Sequence, residues 1–175
     1  MMTNAGWTSS STSSADASPK ATRSGSSSVS TGPKLSLMSV VVLDAWAALA
    51  FLQREGQAAV IVRRLLRRAV RGNVRLRMNV VNLGEVYYRT GRVQGRDQAD
   101  ETLEIVRRLR LKILPATDPV VLAAARFKID HTVSYADAFA VVATLEQNGT
   151  LLTGDPELLQ IQDAVQIEKL HRNGR

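Results

Sequence analysis

From residue 39 onward the chain alternates short β-branched runs with stretches of helical period, and this alternation is its strongest constraint on fold. "SVVVL" (39–43) reads as a strand buried on both faces, because it is short, continuous and apolar. Trp46 to Gln53 reads as a short helix. From Gly56 to Val70, Val60, Ile61, Leu65, Leu66 and Ala69 recur at helical spacing. "VRLRM" (74–78) alternates like a strand. Asn82 to Arg92 reads as a helix with Asn82 as its cap, and 98–110 as another. "KILP" (112–115) is a strand closed by Pro115. Asp118 and Pro119 open a helix to Ile129, with Asp118 as cap. Ser134 opens one to Gln147. "TLLT" (150–153), a short helix over 156–159 and "VQIEKL" (165–170) complete the pattern. Strands and helices in alternation predict a single α/β/α sandwich around a mostly parallel sheet.

The segment before this pattern is of another kind. Nearly half of residues 1–37 are Ser or Thr, and nothing there is periodic, so it reads as a disordered tail. The expected division is a tail over 1–38 and a folded domain over 39–172. Met38 opens "MSVVVLD", so one reading makes it the true start, with an upstream over-extension before it; the other makes the tail a flexible tether. No apolar run is long enough for a bilayer span or a secretory signal.

Residue counts narrow the chemistry. The chain has no cysteine, which removes disulfides, thiolate metal sites and cysteine nucleophiles and fits a reducing, cytoplasmic setting. With only His131 and His171, a histidine-rich metal site or a serine–histidine triad is not expected. The net charge of +7 suits a polyanionic or acidic partner. Most of that charge lies in the body rather than in the tail.

The carboxylates carry the sharper signal. Asp44 follows the first strand, and Asp155 follows "TLLT"; parallel sheets gather their functional groups at such strand ends. Glu85 and Asp137 stand three residues after Asn82 and Ser134, at capping-box spacing. Taken singly, each acid has a bland role: a helix cap for Asp44, Glu85 and Asp137, a turn for Asp155 in "TGDPE". Taken together, four acids beside apolar runs would repel one another unless a cation sat among them. Oxygen-only ligation suits Mg²⁺ or Mn²⁺.

The stretches "VVLDAWAALAFL" (41–52), "NVVNLGEVYYR" (79–89), "SYADAFAVVATL" (134–145) and "LLTGDPEL" (151–158) resemble, in order, the four acidic motifs of PIN-domain proteins, and most of all VapC-type toxins of bacterial toxin–antitoxin pairs. The resemblance covers residues 39–170. It implies an endoribonuclease using Mg²⁺ or Mn²⁺, which hydrolyses RNA phosphodiesters with a metal-activated water. It assigns Asp44, Glu85, Asp137 and Asp155 as the catalytic, metal-holding set, with Thr153 in support through a hydrogen bond. It also implies a cognate antitoxin and a homodimer. The chain departs from the pattern in one respect: many PIN domains have Ser or Thr within two residues of the first acid, where this chain has Ala45 and Trp46. Trp46 reads as packing.

Two further readings stand beside the nuclease. One is a catalytically inert PIN-like module binding RNA or protein. The other is a different Mg²⁺-dependent phosphohydrolase, for which the D-x-D signature is lacking because Trp46 holds its second position. Arg63, Arg64, Arg67, Arg68 and Arg71 cluster on one predicted helix, either as a solvated face or as a contact surface for RNA or antitoxin. The tyrosines of "YYR" (87–89) suit core packing, a dimer contact or a base contact. Lys128 suits a phosphate contact or a surface position. "GRVQGR" (91–96) lacks the strand–turn–helix context of a dinucleotide loop.

Overall fold

A computed structural model describes residues 38–171. Residues 1–37 of the predicted tail and the last residue of the predicted domain lie outside them. Five strands, β1 (Val40–Leu43), β2 (Arg75–Asn79), β3 (Leu111–Leu114), β4 (Thr150–Thr153) and β5 (Ile167–Lys169), pair in the order β3-β2-β1-β4-β5. All four pairings are parallel. Six helices connect them: α1 (Ala45–Leu52), α2 (Gly56–Val70), α3 (Val80–Gln94), α4 (Arg96–Arg108), α5 (Asp118–Asp130) and α6 (Tyr135–Glu146). A single 3-10 turn spans Leu158–Gln160.

Alternate residues of the central strands serve two cores. Val41, Leu43, Leu76, Met78 and Leu152 pack with residues of α1 to α4. Val40, Val42 and Leu151 pack with Val120, Ala124 and Phe139 of α5 and α6. The central strand β1 reads as a continuous apolar run because helices cover both of its faces. The expected α/β/α sandwich is what forms. Among the described residues, no helix is long and apolar enough to cross a membrane.

The sheet order reverses at β1. The chain moves from β1 out to β2 and β3, then returns to β4 on β1's other side. In open parallel sheets, crevices form at such reversals, beyond the carboxyl ends of the strands. Asp44 and Thr153 stand at that place.

Most element boundaries lie a residue or two from those read in the sequence, and three differences change a cap or the type of an element. The cap of α3 is Asn79, whose side chain accepts from the Val81 N–H at 2.9 Å, not Asn82. β2 passes straight into α3 with no loop, so the last strand residue is also the cap. Asn82 lies inside the helix, fully buried, and Glu85 falls one turn beyond the capping position. At α5 the cap position belongs to Thr117, and Asp118 is already helical. The helix expected at 156–159 shrinks to the 3-10 turn two residues later.

Candidate active site

Asp44 is the most enclosed of the acids, at 1% exposure. It caps α1, one carboxylate oxygen accepting from the Ala47 N–H at 2.7 Å. Its other oxygen accepts a short hydrogen bond from the Thr153 hydroxyl. Thr153 is itself fully buried, and its Oγ1 also accepts from the Asp155 N–H at 2.9 Å. One threonine thus ties the end of β1 to the turn after β4. The departure after Asp44 is met here: with Ala45 and Trp46 offering no hydroxyl, Thr153 supplies one across the sheet.

Asp137 lies in the first turn of α6 and is buried. Ser134 Oγ accepts from the Asp137 N–H at 3.1 Å and donates to Asp137 Oδ2 at 2.6 Å. The cap and the orientation of the carboxylate are therefore one arrangement. Glu85 is half-buried on α3 and pairs with Arg89 at 3.3 Å, one turn along the helix. Asp155 Oδ1 accepts from the Glu157 N–H at 2.9 Å, which is the turn that "TGDPE" suggests.

Electrostatics show that these groups sense one another. Burial pushes the Asp44 carboxyl from 3.8 up to about 7, against the hydrogen bonds from Thr153 and Ala47; Asp137 and Asp155 push it the same way. Burial likewise lifts Asp137 to about 6, opposed by Ser134 and reinforced by Asp155, Glu85 and Glu157. Acids from four separate segments act on one another at one end of the sheet. Among the described residues, no cation pairs with Asp44, Asp137 or Asp155. A divalent cation with oxygen ligands fits such a donor set. The acids do not form a ready cage: among the described residues no three His, Cys, Asp or Glu are grouped to hold a metal. Mg²⁺ keeps several of its waters and needs few direct carboxylates, so an open cluster suits it.

Two residues of this region escape the sequence reading. Glu157 acts on Asp137 but sits outside any strand-end or capping signal. Asn82, read as a cap, instead donates from Nδ2 to the Ala136 carbonyl at 2.9 Å and fastens α3 to the start of α6. Its Oδ1 is buried without a partner. A second asparagine three residues after the cap was the one available hint.

Other candidates fall elsewhere. Trp46 packs over Gly154 and is buried, as expected. Tyr87 donates to Asp100 at 2.9 Å, while Tyr88 is exposed. Lys128 donates to the Val133 carbonyl at 2.6 Å, and His131 stacks on Phe127. "GRVQGR" forms the corner between α3 and α4, where Gly95 adopts a φ of 92°. Arg63, Arg64, Arg67, Arg68 and Arg71 are all exposed, and none is ion-paired among the described residues.

Removing the bridging hydroxyl tests this geometry. Thr153→Val keeps the shape but takes away the bond that lowers the Asp44 pKa. The expected outcome is a loss of about 1–3 kcal/mol, the cost of stranding buried polar groups. Asp44 should titrate above its present value of about 7, read from the pH at which the metal-free protein's stability levels off. An unchanged midpoint would show that the hydroxyl does not control the carboxylate.

The PIN-domain family model matches residues 41–164. No curated protein sequence matches the chain. Among solved structures, the chain resembles VapBC2 of Rickettsia felis, described as bound to a promoter DNA fragment, at 14% identity and a TM-score of 0.60, over 75% of this chain and 99% of that one. It also resembles DNA-bound VapBC of Salmonella typhimurium, at 13% identity and 0.61, over 75% and 98%. A third is VapC20 of Mycobacterium tuberculosis, described as a sarcin–ricin-loop-cleaving toxin, at 13% and 0.56, over 69% and 94%. At such identities the likeness is one of fold. The family model spans most of the chain, and the chain belongs to the PIN-domain family.

Proposed function

We propose that this protein is an endoribonuclease of the VapC type, dependent on Mg²⁺ or Mn²⁺ and acting as the toxin of a toxin–antitoxin pair. The observation that carries the reading is the uncompensated acidic cluster. Buried Asp44 and Asp137 stand within electrostatic reach of Asp155, and Asp137 within reach of Glu85, with no cation paired to the aspartates among the described residues. Family membership and the fold shared with VapBC proteins support the same reading.

Asp44, Asp137, Glu85 and Asp155 would hold the ion, in part through its waters. When bound, a divalent ion polarises a phosphoryl oxygen and lowers the pKa of water. Each side chain has its own task in this account. Thr153 and the Ala47 N–H fix Asp44, so its orientation precedes binding of the substrate. Ser134 does the same for Asp137. One carboxylate of the set accepts the proton of the attacking water. The exposed arginines of α2 serve as a surface for RNA phosphates or for the antitoxin. The active unit is read as a cytoplasmic homodimer.

The experiment is cleavage of a structured RNA by the full chain with Mg²⁺ or Mn²⁺, compared with Asp137→Asn. Wild type is expected to cut, and the variant to fold but cut at least about a hundredfold more slowly, the scale of losing one preorganised electrostatic group. RNA bound but left uncut by wild type in both metals would turn the account to an inert binding module.

A further inference from the structure

The strands carry a second charged feature at their other end. Leu76 and Met78 of β2 point into the core beneath α1 to α4. Arg75 and Arg77 therefore share the opposite face. Register sets Arg75 beside Val40, and Arg77 beside Val42 on one side and Lys112 on the other. Arg110 precedes β3. These four cations line a cavity of about 410 Å³ at the amino ends of β2 and β3, and among the described residues no carboxylate lines it.

None of the four is ion-paired among the described residues. Arg75 donates to the Met38 carbonyl at 3.4 Å, and Arg77 to the Leu76 carbonyl at 3.1 Å. Arg77 is half-buried, and its Nε is buried without a partner. Burial, and then the charge of Arg75, lower the Arg77 pKa. Like charges held together in a partly enclosed space are costly unless an anion joins them.

We infer that this groove grips the sugar–phosphate backbone of single-stranded RNA, as an accessory site away from the acidic cluster. The inference rests on the nuclease reading for its choice of polyanion. The cation spacing favours it. Residues two apart on a strand lie roughly 6.6 Å apart, and neighbours across a ladder about 4.8 Å. That grid suits successive phosphates. The lining offers little to a protein partner. Val74, Leu76 and Leu111 are buried, Leu109 is half-buried and Met38 is the one exposed large apolar side chain of the described lining, whereas protein interfaces depend on clustered apolar and aromatic anchors. Among the described residues no aromatic side chain lines the groove, so bases find no stacking platform there and recognition is independent of sequence. Arg77 and Lys112 lie level with Val42, two residues before Asp44 and one or two strands to its side. By strand geometry that is roughly 8–12 Å from Asp44, so an RNA longer than a dinucleotide reaches both places.

The test uses the full chain without divalent metal and a labelled 20-nucleotide single-stranded RNA, titrated over a range of salt. The variant carries Arg75→Gln, Arg110→Gln and Lys112→Gln, all at exposed positions. It is expected to bind at least about tenfold more weakly near 0.1 M salt. Its salt slope should fall by about 2, since each phosphate contact on a single strand contributes about 0.7. With Mg²⁺, a substrate too short to reach the groove should be cut at the wild-type rate. A variant with wild-type affinity and slope overturns the inference. So does a variant that loses a polyglutamate peptide but keeps RNA, which would give the groove to an acidic protein segment. A wild-type chain that grips RNA through the groove yet cuts none loses the nuclease reading and keeps this one. Cutting by wild type with undiminished binding by the variant does the reverse.

Discussion

Asp44→Asn is expected to reduce metal-dependent RNA cleavage by at least about a hundredfold and, at the same time, to stabilise the metal-free protein at neutral pH. The two effects have one origin. Burial lifts the folded-state pKa of Asp44 from 3.8 to about 7. Between those values the folded chain binds more protons than the unfolded one, so stability falls as pH rises. The metal-free protein should be most stable with respect to this group below pH 4. It should lose up to about 4 kcal/mol by pH 7, at 1.36 kcal/mol per pKa unit. Asparagine carries no charge to desolvate and keeps the shape. In chelator the variant should therefore melt above wild type at pH 7.5, and the two should converge near pH 4. Thermal unfolding across that range, beside a cleavage assay at pH 7.5, reads both effects. A variant less stable than wild type at pH 7.5 would mean that the Thr153 and Ala47 bonds outweigh the burial of charge.

The second large effect is steric. Gly154 lies between Thr153 and Asp155, and the Trp46 indole sits against it. A Cβ built there clashes with the ring, 2.5 Å from Cζ3 and 2.6 Å from Cζ2. Trp46 is buried and rigid, so either α1 or the turn carrying Asp155 must shift. Gly154→Ala should cost about 1–3 kcal/mol, and it should lower cleavage beyond its effect on stability, because both routes move an acid. Gly84 of α3 is the matched control: a Cβ there meets nothing within 4 Å. Gly84→Ala should stabilise by about 0.5–1 kcal/mol through helix propensity. Melting curves of the two variants decide it. Equal behaviour would show that the Trp46 contact relaxes at no cost.

The contrast between these glycines marks where sequence reading stops. Asp44 was readable because an acid directly after a buried strand has a known place in a parallel sheet. Asp137 was readable because Ser134 announces its helix. Glu85 stands one turn further along α3 than a cap at Asn82 would put it. Asn79 and Asn82 are equally good caps in sequence, and β2 entering α3 without a loop decides between them. The Thr153–Asp44 bond joins residues 109 positions apart, and only the pairing of β1 with β4 makes them neighbours. Glu157 carries no motif and gains its role from the turn around Asp155. The alternation "VRLRM" reveals a strand but not that its arginines line a groove with Arg110 and Lys112.

Calorimetric titration of Mn²⁺ into the full chain at pH 6 and pH 8 tests the central claim most directly. The account predicts binding that releases more protons at pH 6, where Asp44 still carries its proton. It predicts that Asp44→Asn and Asp137→Asn each weaken that binding at least about tenfold, the lower bound for disturbing a ligand's support. Binding of wild-type strength in both variants, with no proton release at either pH, would contradict it.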